Sequence, residues 1–340
     1  MTVRVGFLGA GLIAAFHSKM LRASGADVAW AGVYDPDASR AEEFARASGA
    51  TARATEEEVL DDCDAVYVCT WTSEHQRLVE GAVARGLPVF CEKPLSVDLA
   101  RATAMADAVE AAGVVNQVGL VLRRSPAFNL MRDLVADPAS GRVMSVVFRD
   151  DQYIPVQGMY GSTWRGDRTK AGSGTLLEHS IHDLDILEFV AGPVSSVSAR
   201  SANFHGLDGI EDSVATSLSF ADGGVGTMVS IWHDILERPS LRRVEVFCER
   251  LHVVMEEDDW FGPVSWLRLG GESAVREGAG LVEECRDRGI ELTNPDGEFI
   301  AAIVGGRAAT PSFADAVRAH RLADAVYRSA AAGGDAVPTA

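Results

Sequence analysis

The turn Cys91-Glu92-Lys93-Pro94-Leu95 places a lysine directly after a short apolar run, residues 87–90. Such a run predicts a buried parallel strand, and ligands of open α/β sheets bind at the carboxyl ends of such strands. Because Pro94 restricts the backbone before it, Lys93 is presented from a defined conformation. Its ammonium group could bind a substrate and polarise a reacting oxygen. The alternative is a solvated surface lysine that precedes a helix.

A second group of chemically capable residues lies within residues 171–187, where glycines lead into an amphipathic run. If this run is a helix, Glu178, His182 and Asp185 share one face, since they are four and three residues apart. Polar groups at core spacing need partners, because unpaired burial costs about 1 to 3 kcal/mol each. An imidazole titrates near neutral pH, so His182 is the candidate acid/base, with Glu178 or Asp185 orienting its ring.

Two other interpretations of this segment remain open. His182 could be a core histidine whose hydrogen bonds are satisfied by its neighbours. A metal site made of Glu178, His179 and His182 is the third interpretation. It lacks the H-E-x-x-H arrangement, and adjacent side chains on a helix point in different directions. We therefore predict no metal.

The chain before Lys93 has the pattern of a dinucleotide-binding domain, with strand-like runs alternating with helical patterns from Val3 to about Gly119. Its first turn, Gly9-Ala10-Gly11-Leu12-Ile13-Ala14, matches G-x-G-x-x-G/A between a strand and a helix. Gly9 permits the tight turn and Gly11 lets the backbone approach a pyrophosphate. The N–H groups at the start of the helix, where Leu12 and Ile13 lie, favour phosphate.

Asp35 ends the second predicted strand and follows Gly11 by 24 residues (35 − 11). A carboxylate near this spacing binds ribose hydroxyls and repels a 2′-phosphate, so we predict NAD rather than NADP. The alternative for Asp35 is a turn residue before Pro36. Thr70 and His75, which follow a third strand, are further predicted cofactor contacts, together with Glu92 and Lys93. His75 could instead simply lie in the first turn of its helix.

After Gly119 the alternation of strands and helices stops, and strand-like runs follow one another within residues 194–256. Consecutive strands predict a mainly antiparallel sheet, hence an α+β second domain. We expect an NAD-binding Rossmann domain over residues 1–121 and a substrate-binding and oligomerisation domain over 122–340. A helix near residues 313–332 is expected to have a packing role, with the first domain as one candidate surface for it. Arg123, Trp164 and Arg165 are further candidate substrate contacts.

Composition narrows the possible partners. The net charge of −18 opposes binding to nucleic acid or to anionic membranes. No apolar run reaches the roughly 18 to 20 residues of a membrane-spanning helix, and the first residues lack a signal-peptide pattern, so we expect a cytoplasmic protein. The five cysteines contain no C-x-x-C pair and are expected to be buried, reduced thiols.

Taken together, these motifs resemble the Gfo/Idh/MocA family, the relatives of glucose-fructose oxidoreductase and inositol dehydrogenase. The resemblance rests on the glycine turn, Glu92-Lys93-Pro94, Trp164-Arg165 with Asp167, the loop into Glu178–Asp185, and residues 299–305. It implies a Rossmann domain, a second domain with a large open sheet, and a homodimer or homotetramer. It also implies hydride transfer between NAD(P) and a secondary alcohol of a sugar, inositol or related polyol.

By this resemblance the family's lysine corresponds to Lys93 and its acid/base histidine to His182. The family's usual aspartate, four residues before the histidine, corresponds to Glu178, which is therefore a departure from the pattern. Two alternatives stay open: an elimination-type glycosidase that uses NAD transiently, and a non-catalytic NAD-responsive binding protein. Release of a leaving group without net NADH would indicate the first, and NAD binding without turnover would indicate the second.

Overall fold

A computed structural model describes residues 2–257 and 260–339. The chain forms two compact units. The first comprises Met1–Leu120 with Thr293–Val317, and the second comprises Val121–Leu292 with Arg318–Ala340. Our single boundary at 121/122 separates the two long segments, but it does not provide for the return of residues 293–317 to the first unit.

Helices occur throughout both units. In chain order the α-helices of the described residues are α1 (Leu12–Ala23), α2 (Ala38–Ser48), α3 (Glu56–Leu60), α4 (His75–Val83), α5 (Leu99–Ala112), α6 (Pro126–Ala136), α7 (Arg168–Ala171), α8 (Ile181–Ala191), α9 (Gly278–Asp287), α10 (Pro295–Gly305) and α11 (Phe313–Ala331). Within residues 2–257 and 260–339, none of the helices combines the length and the apolar composition that crossing a membrane requires.

The strands form one sheet in each unit. They are β1 (Val3–Leu8), β2 (Val28–Tyr34), β3 (Thr51–Ala52), β4 (Ala65–Val68), β5 (Val89–Cys91), β6 (Asn116–Val118), β7 (Val143–Tyr153), β8 (Val194–Ala202), β9 (Ser213–Phe220), β10 (Val225–His233), β11 (Leu241–Cys248), β12 (Leu251–Glu256), β13 (Val264–Arg268), β14 (Ser273–Arg276) and β15 (Val337–Pro338).

The first sheet is parallel and has the order β3-β2-β1-β4-β5-β6. Because β1 lies beside both β2 and β4, the direction of winding reverses there, and ligands of open sheets bind at such a reversal. The sheet is buried under helices on both faces, as its continuous apolar runs require. The predicted doubly wound α/β fold is confirmed.

Local sequence explains how several of these elements begin and end. Asp37 caps α2 by accepting a hydrogen bond from Ser39 N, and the helix stops at Gly49, whose φ of 86° a side chain would disfavour. Asn294 caps α10 in the same way, and Pro295 occupies its first position. The helix that returns to the first unit is therefore defined by its own sequence.

The second sheet has the order β14-β13-β12-β11-β7-β10-β9-β8-β15. Its pairs are antiparallel except for β7 with β10, which run parallel. The predicted mainly antiparallel sheet is therefore confirmed, although β13, β14 and β15 were absent from the prediction. One face of the sheet is exposed and carries large apolar side chains: Val147, Val225, Phe247, Leu267 and Val275.

Candidate active site

The glycine turn between β1 and α1 has the properties of a nucleotide cradle. Gly9 has a φ of 94°, and a Cβ there would lie 2.4 Å from the carbonyl oxygen of Cys69. A Cβ at Gly11 would meet nothing within 4 Å, so packing within the protein does not explain this glycine. No side chain caps α1 at Gly11. The N–H groups at this helix start are thus available to an anion, which fits the phosphates of a dinucleotide.

Asp35 lies at the end of β2 and is joined to the glycine turn. Its Oδ2 accepts a hydrogen bond from Ala10 N at 2.8 Å, and its Oδ1 accepts one from Asp37 N at 2.9 Å. The carboxylate is therefore held at the edge of the sheet where the ribose of a dinucleotide is expected. Leu12 and Ile13, at the start of α1, have exposed side chains.

Lys93 follows β5 at the same edge of the first sheet. β4 and β5 pair in parallel with Val68 opposite Cys91, so Thr70 and Lys93 emerge from neighbouring strands. His75 joins the two turns, since its Nδ1 lies 3.0 Å from the Pro94 carbonyl oxygen and its Nε2 lies 3.3 Å from that of Thr70. The ring is buried, and burial lowers the pKa of His75. Its contact with the cofactor stays a prediction.

Glu92 is buried beneath this turn, facing the interior of the first unit. Its Oε2 accepts a hydrogen bond from the backbone N–H of Lys93 at 3.0 Å. Its Oε1 lies 2.8 Å from Nε2 of His17, and Nδ1 of that ring lies 2.8 Å from Oδ1 of Asp296. A cofactor contact by Glu92 also stays a prediction. His17 and Asp296 were not among the residues predicted from the sequence.

The histidine segment of the second unit is not the continuous α-helix that its spacing predicted. Residues Thr175–His179 form a π-helical turn, and α8 begins only at Ile181. A π turn winds more slowly than an α-helix, so spacings of three and four across it do not define one face. The predicted single helix face was therefore wrong for Glu178, which lies in the π-helical turn, whereas His182 and Asp185 both lie in α8.

Two arginines pair with the acids of this segment. Arg165 Nε lies 3.3 Å from Glu178 Oε2, and Arg123 donates to both carboxylate oxygens of Asp185, at 2.8 and 2.6 Å. Glu178 and Asp185 are both almost fully buried. The structure thus brings the predicted substrate residue Arg165 to the predicted catalytic residue Glu178. Their contact with a substrate stays a prediction.

Trp164, the other candidate substrate contact on this loop, packs against a small apolar cluster that contains Ile154 and Trp232. The guanidinium of Arg165 lies 4.8 Å from the centre of the Trp164 ring. The indole therefore supports the arginine, and any substrate contact would come from its exposed part.

Asp150 forms a cluster with two residues of this segment, His179 and Asp183. The ligand atoms of Asp150, His179 and Asp183 all lie within 4.8 Å of one another, which in residues 2–257 and 260–339 is the one such grouping with metal-ligand side chains. It shares only His179 with the metal site considered from the sequence. Arg242 donates to Asp183 Oδ1 at 2.7 Å and lies 3.5 Å from Asp150 Oδ2, so a guanidinium already supplies positive charge.

The charges of this cluster are tightly coupled. Burial would raise the pKa of Asp150, but Arg242 and His179 outweigh it and hold that pKa well below its usual range. Burial raises the pKa of Asp183, against the opposing effect of Arg242. Of the two acids, Asp150 is therefore the one that more readily carries a negative charge beside Arg242.

Comparison with known proteins identifies the family. Residues 3–120 match the description "Oxidoreductase family, NAD-binding Rossmann fold", and residues 128–254 match "GFO/IDH/MocA C-terminal domain". This chain belongs to the GFO/IDH/MocA family. It is an NAD-dependent oxidoreductase, as the resemblance implied, and its first unit is the NAD-binding Rossmann domain of that family.

Members with assigned names cover much or all of the chain. An inositol 2-dehydrogenase of Rhizobium meliloti (strain 1021) is 32% identical over 340 residues, which is 97% of this chain and 98% of that protein. A 1,5-anhydro-D-fructose reductase of Ensifer adhaerens is 33% identical over 239 residues, 68% of each. A solved levoglucosan dehydrogenase in complex with NADH is 22% identical, covers 100% of both chains and has a TM-score of 0.87, so it shares the fold.

Proposed function

We propose that this oxidoreductase transfers a hydride between NAD(H) and a secondary alcohol or ketone of a cyclic polyol or sugar. The observation that carries the proposal is the position of Lys93, at the carboxyl end of β5 on the sheet edge that holds the glycine turn. Full-length similarity to an inositol 2-dehydrogenase supports a polyol as the substrate class.

The residues of the first unit would hold the cofactor as follows. Gly9 and Gly11 shape the turn, the N–H groups of Leu12 and Ile13 face the phosphates, and the Asp35 carboxylate accepts from the ribose hydroxyls. Thr70, which follows β4, is a further cofactor contact at the same edge of the first sheet. NAD, when bound, supplies the hydride acceptor.

The side chains of this chain transfer the proton and stabilise the negative charge that develops on the reacting oxygen. In oxidation, His182 takes the proton of the substrate hydroxyl while the C–H bond gives up its electron pair as hydride. The Lys93 ammonium donates a hydrogen bond to the same oxygen and stabilises the negative charge that develops on it. In reduction His182 returns the proton. Glu178, paired with Arg165, contacts the substrate hydroxyls or orients His182.

A screen of substrates tests this function. NAD and NADP are offered separately with inositols, aldoses, anhydrosugars and aminosugars, and NADH formation is followed by its absorbance. Turnover with NAD on one group of polyols is expected. NAD binding without turnover on the whole panel, or release of a leaving group without net NADH, would contradict it.

We also propose that the chain forms a homo-oligomer through the exposed apolar face of the second sheet. The side chains Val147, Val225, Phe247, Leu267 and Val275 lie on that face. Large exposed apolar side chains with charged neighbours on the same face, here Glu245 opposite Val147, are typical of a protein interface. Light scattering after gel filtration is expected to give a dimer or tetramer, and a monomer at all concentrations would contradict the proposal.

A further inference from the structure

A buried histidine links two acids in the interior of the first unit. The His17 side chain is 1% exposed, and its two ring nitrogens each lie 2.8 Å from a carboxylate oxygen, one of Glu92 and one of Asp296. Carboxylates only accept hydrogen bonds when ionised, so a ring between two of them must donate from both nitrogens. His17 is therefore an imidazolium in this arrangement.

The surroundings of this ring support that charge. The aromatic ring of Phe90 lies 4.7 Å from the centre of the imidazole, and that of Tyr67 lies 5.8 Å away. Burial would lower the pKa of His17, but its hydrogen bonds to Asp296 and Glu92 raise it to about 10. The other titratable groups packed nearby, Tyr67, Cys69 and Cys91, stay neutral because burial raises their pKa values well above the usual range.

Glu92 transmits this arrangement to the turn that carries the lysine. One of its oxygens is held by His17, and the other accepts the backbone N–H of Lys93. Gly119 leaves room for the carboxylate, since a Cβ there would lie 2.3 Å from Oε1. Burial raises the pKa of Glu92, but the bond to His17 outweighs it, and the charge of Lys93 acts in the same direction.

We propose that His17, Asp296 and Glu92 are positioning residues that fix the backbone of Lys93, so that its ammonium group meets the reacting oxygen. This inference rests on the role given to Lys93 in the proposed function. Asp296 holds the ring, the ring holds Glu92, and Glu92 holds the turn. None of the three touches the substrate in this scheme, and each acts through the next.

The test compares Asp296→Asn and Glu92→Gln with wild type, measuring kcat, KM for the best polyol, NADH affinity and the pH profile of kcat. Asp296→Asn keeps an oxygen facing the ring but removes a negative charge. For Asp296→Asn we expect kcat to fall about 10-fold or more, because a small displacement of a reacting group is costly, while KM and NADH affinity stay within about 2-fold of the wild-type values. The alkaline limb of the pH profile of kcat in Asp296→Asn should move to lower pH by about one unit or more, because one acid that keeps the His17 ring protonated is lost.

A control variant tests whether the loss of a histidine–carboxylate pair elsewhere in the protein has the same effect on kcat. His252 lies 2.7 Å from Glu245 on the second sheet and is partly exposed. The substitution His252→Gln is expected to leave kcat and its pH profile unchanged. If both Asp296→Asn and Glu92→Gln behave like wild type, the inference is overturned.

Lys93→Met distinguishes the two proposals. An inactive Lys93→Met enzyme combined with fully active Asp296→Asn and Glu92→Gln enzymes overturns only the positioning role. A fully active Lys93→Met enzyme overturns the proposed function itself. If the acid variants do not fold, nitrogen NMR of wild type decides: both His17 ring nitrogens should be protonated at about pH 8.5, above the usual histidine pKa. A single protonated nitrogen overturns the inference.

Discussion

The two units hold their candidate catalytic residues by opposite means. In the first unit, the Lys93 turn is tied to a buried imidazolium between two acids. In the second, the loop before His182 is tied to one acid, Glu211, which accepts four hydrogen bonds from uncharged donors. The donors are the backbone N–H groups of Gly174 and Leu176 and the hydroxyls of Ser173 and Tyr327, at 2.7 to 3.0 Å.

This difference implies different responses to pH. We call His17 with Glu92 and Asp296 the first anchor, and Glu211 with its four donors the second anchor. The histidine of the first anchor must keep its second proton, because otherwise one of its two hydrogen bonds to a carboxylate is lost. The donors of the second anchor are amides and hydroxyls, and burial raises the pKa of Tyr327 well above its usual value. We therefore expect alkaline conditions to weaken the first anchor and to leave the second intact.

The largest expected effect is on the pH dependence of stability. The pKa of His17 is about 10 in the folded protein against an ordinary value of 6.5. The stabilisation is fully present below pH 6.5 and is lost as pH rises towards 10, because the folded state holds the proton more tightly. His17→Gln should remove this dependence, which amounts to about 3 to 5 kcal/mol across that range.

Urea unfolding of wild type and His17→Gln at several pH values measures the difference. The comparison between the two proteins cancels the titration of groups that His17 does not contact. If the free energy of unfolding changed with pH in the same way in both proteins, a charged His17 would be contradicted. The two anchors would then not differ in their response to pH.

The next effect is on turnover. Lys93→Met and His182→Asn should each lower kcat by about 10² or more, since each removes a group that acts on the reacting oxygen or its proton. Lys19→Met is the matched lysine control, because Lys19 is exposed on α1 and should leave kcat unchanged. Stopped-flow and steady-state measurements with NADH binding as a check of folding decide the matter. Near-normal turnover in both variants would contradict the catalytic roles assigned to Lys93 and His182.

A smaller effect is expected at the second anchor. Glu211→Gln leaves one carbonyl oxygen for four donors, so buried N–H or O–H groups lose their partners at about 1 to 3 kcal/mol each. The free energy of unfolding should fall by about 2 kcal/mol, with the same loss at pH 7 and pH 9, unlike the loss in His17→Gln. A loss that changes with pH would show that the two anchors do not differ as described. Tyr327→Phe removes one donor to Glu211 and also the acceptor of the Leu177 N–H, and should cost about 1 to 2 kcal/mol.

The two anchors also differ in how far the sequence could predict them. Local patterns were sufficient for five of the six strands of the first sheet, all except the two-residue β3, and for the glycine turn, since period and spacing determine them. His17 follows Ala14 and precedes Leu21 on the buried face of α1, so a histidine at core spacing was a usable signal. Its partner Asp296 lies 279 residues further along, and nothing local connects them.

In the second unit, the residues were identified but their geometry was not. The π-helical turn at Thr175–His179 is contacted by Ser230 of β10, whose hydroxyl lies 2.8 Å from that of Thr175 and 2.6 Å from that of Ser180. A strand some 50 residues distant thus contacts both ends of the turn. Helical spacing alone could not show this, and it assigned Glu178 and Asp185 to one face.

The last expected effects concern the glycines that accompany each region. A Cβ at Gly174 would lie 1.8 Å from the carbonyl oxygen of Glu211, whereas one at Gly11 would meet nothing within 4 Å. Gly174→Ala should therefore destabilise the second anchor. Gly11→Ala should leave unfolding nearly unchanged and weaken NADH binding about 10-fold, because the added methyl group meets no protein atom within 4 Å and would crowd the pyrophosphate proposed to bind there. Fluorescence titration with NADH and urea unfolding of both variants measure this. Unchanged NADH affinity in Gly11→Ala would mean that the turn is open for a reason other than the nucleotide.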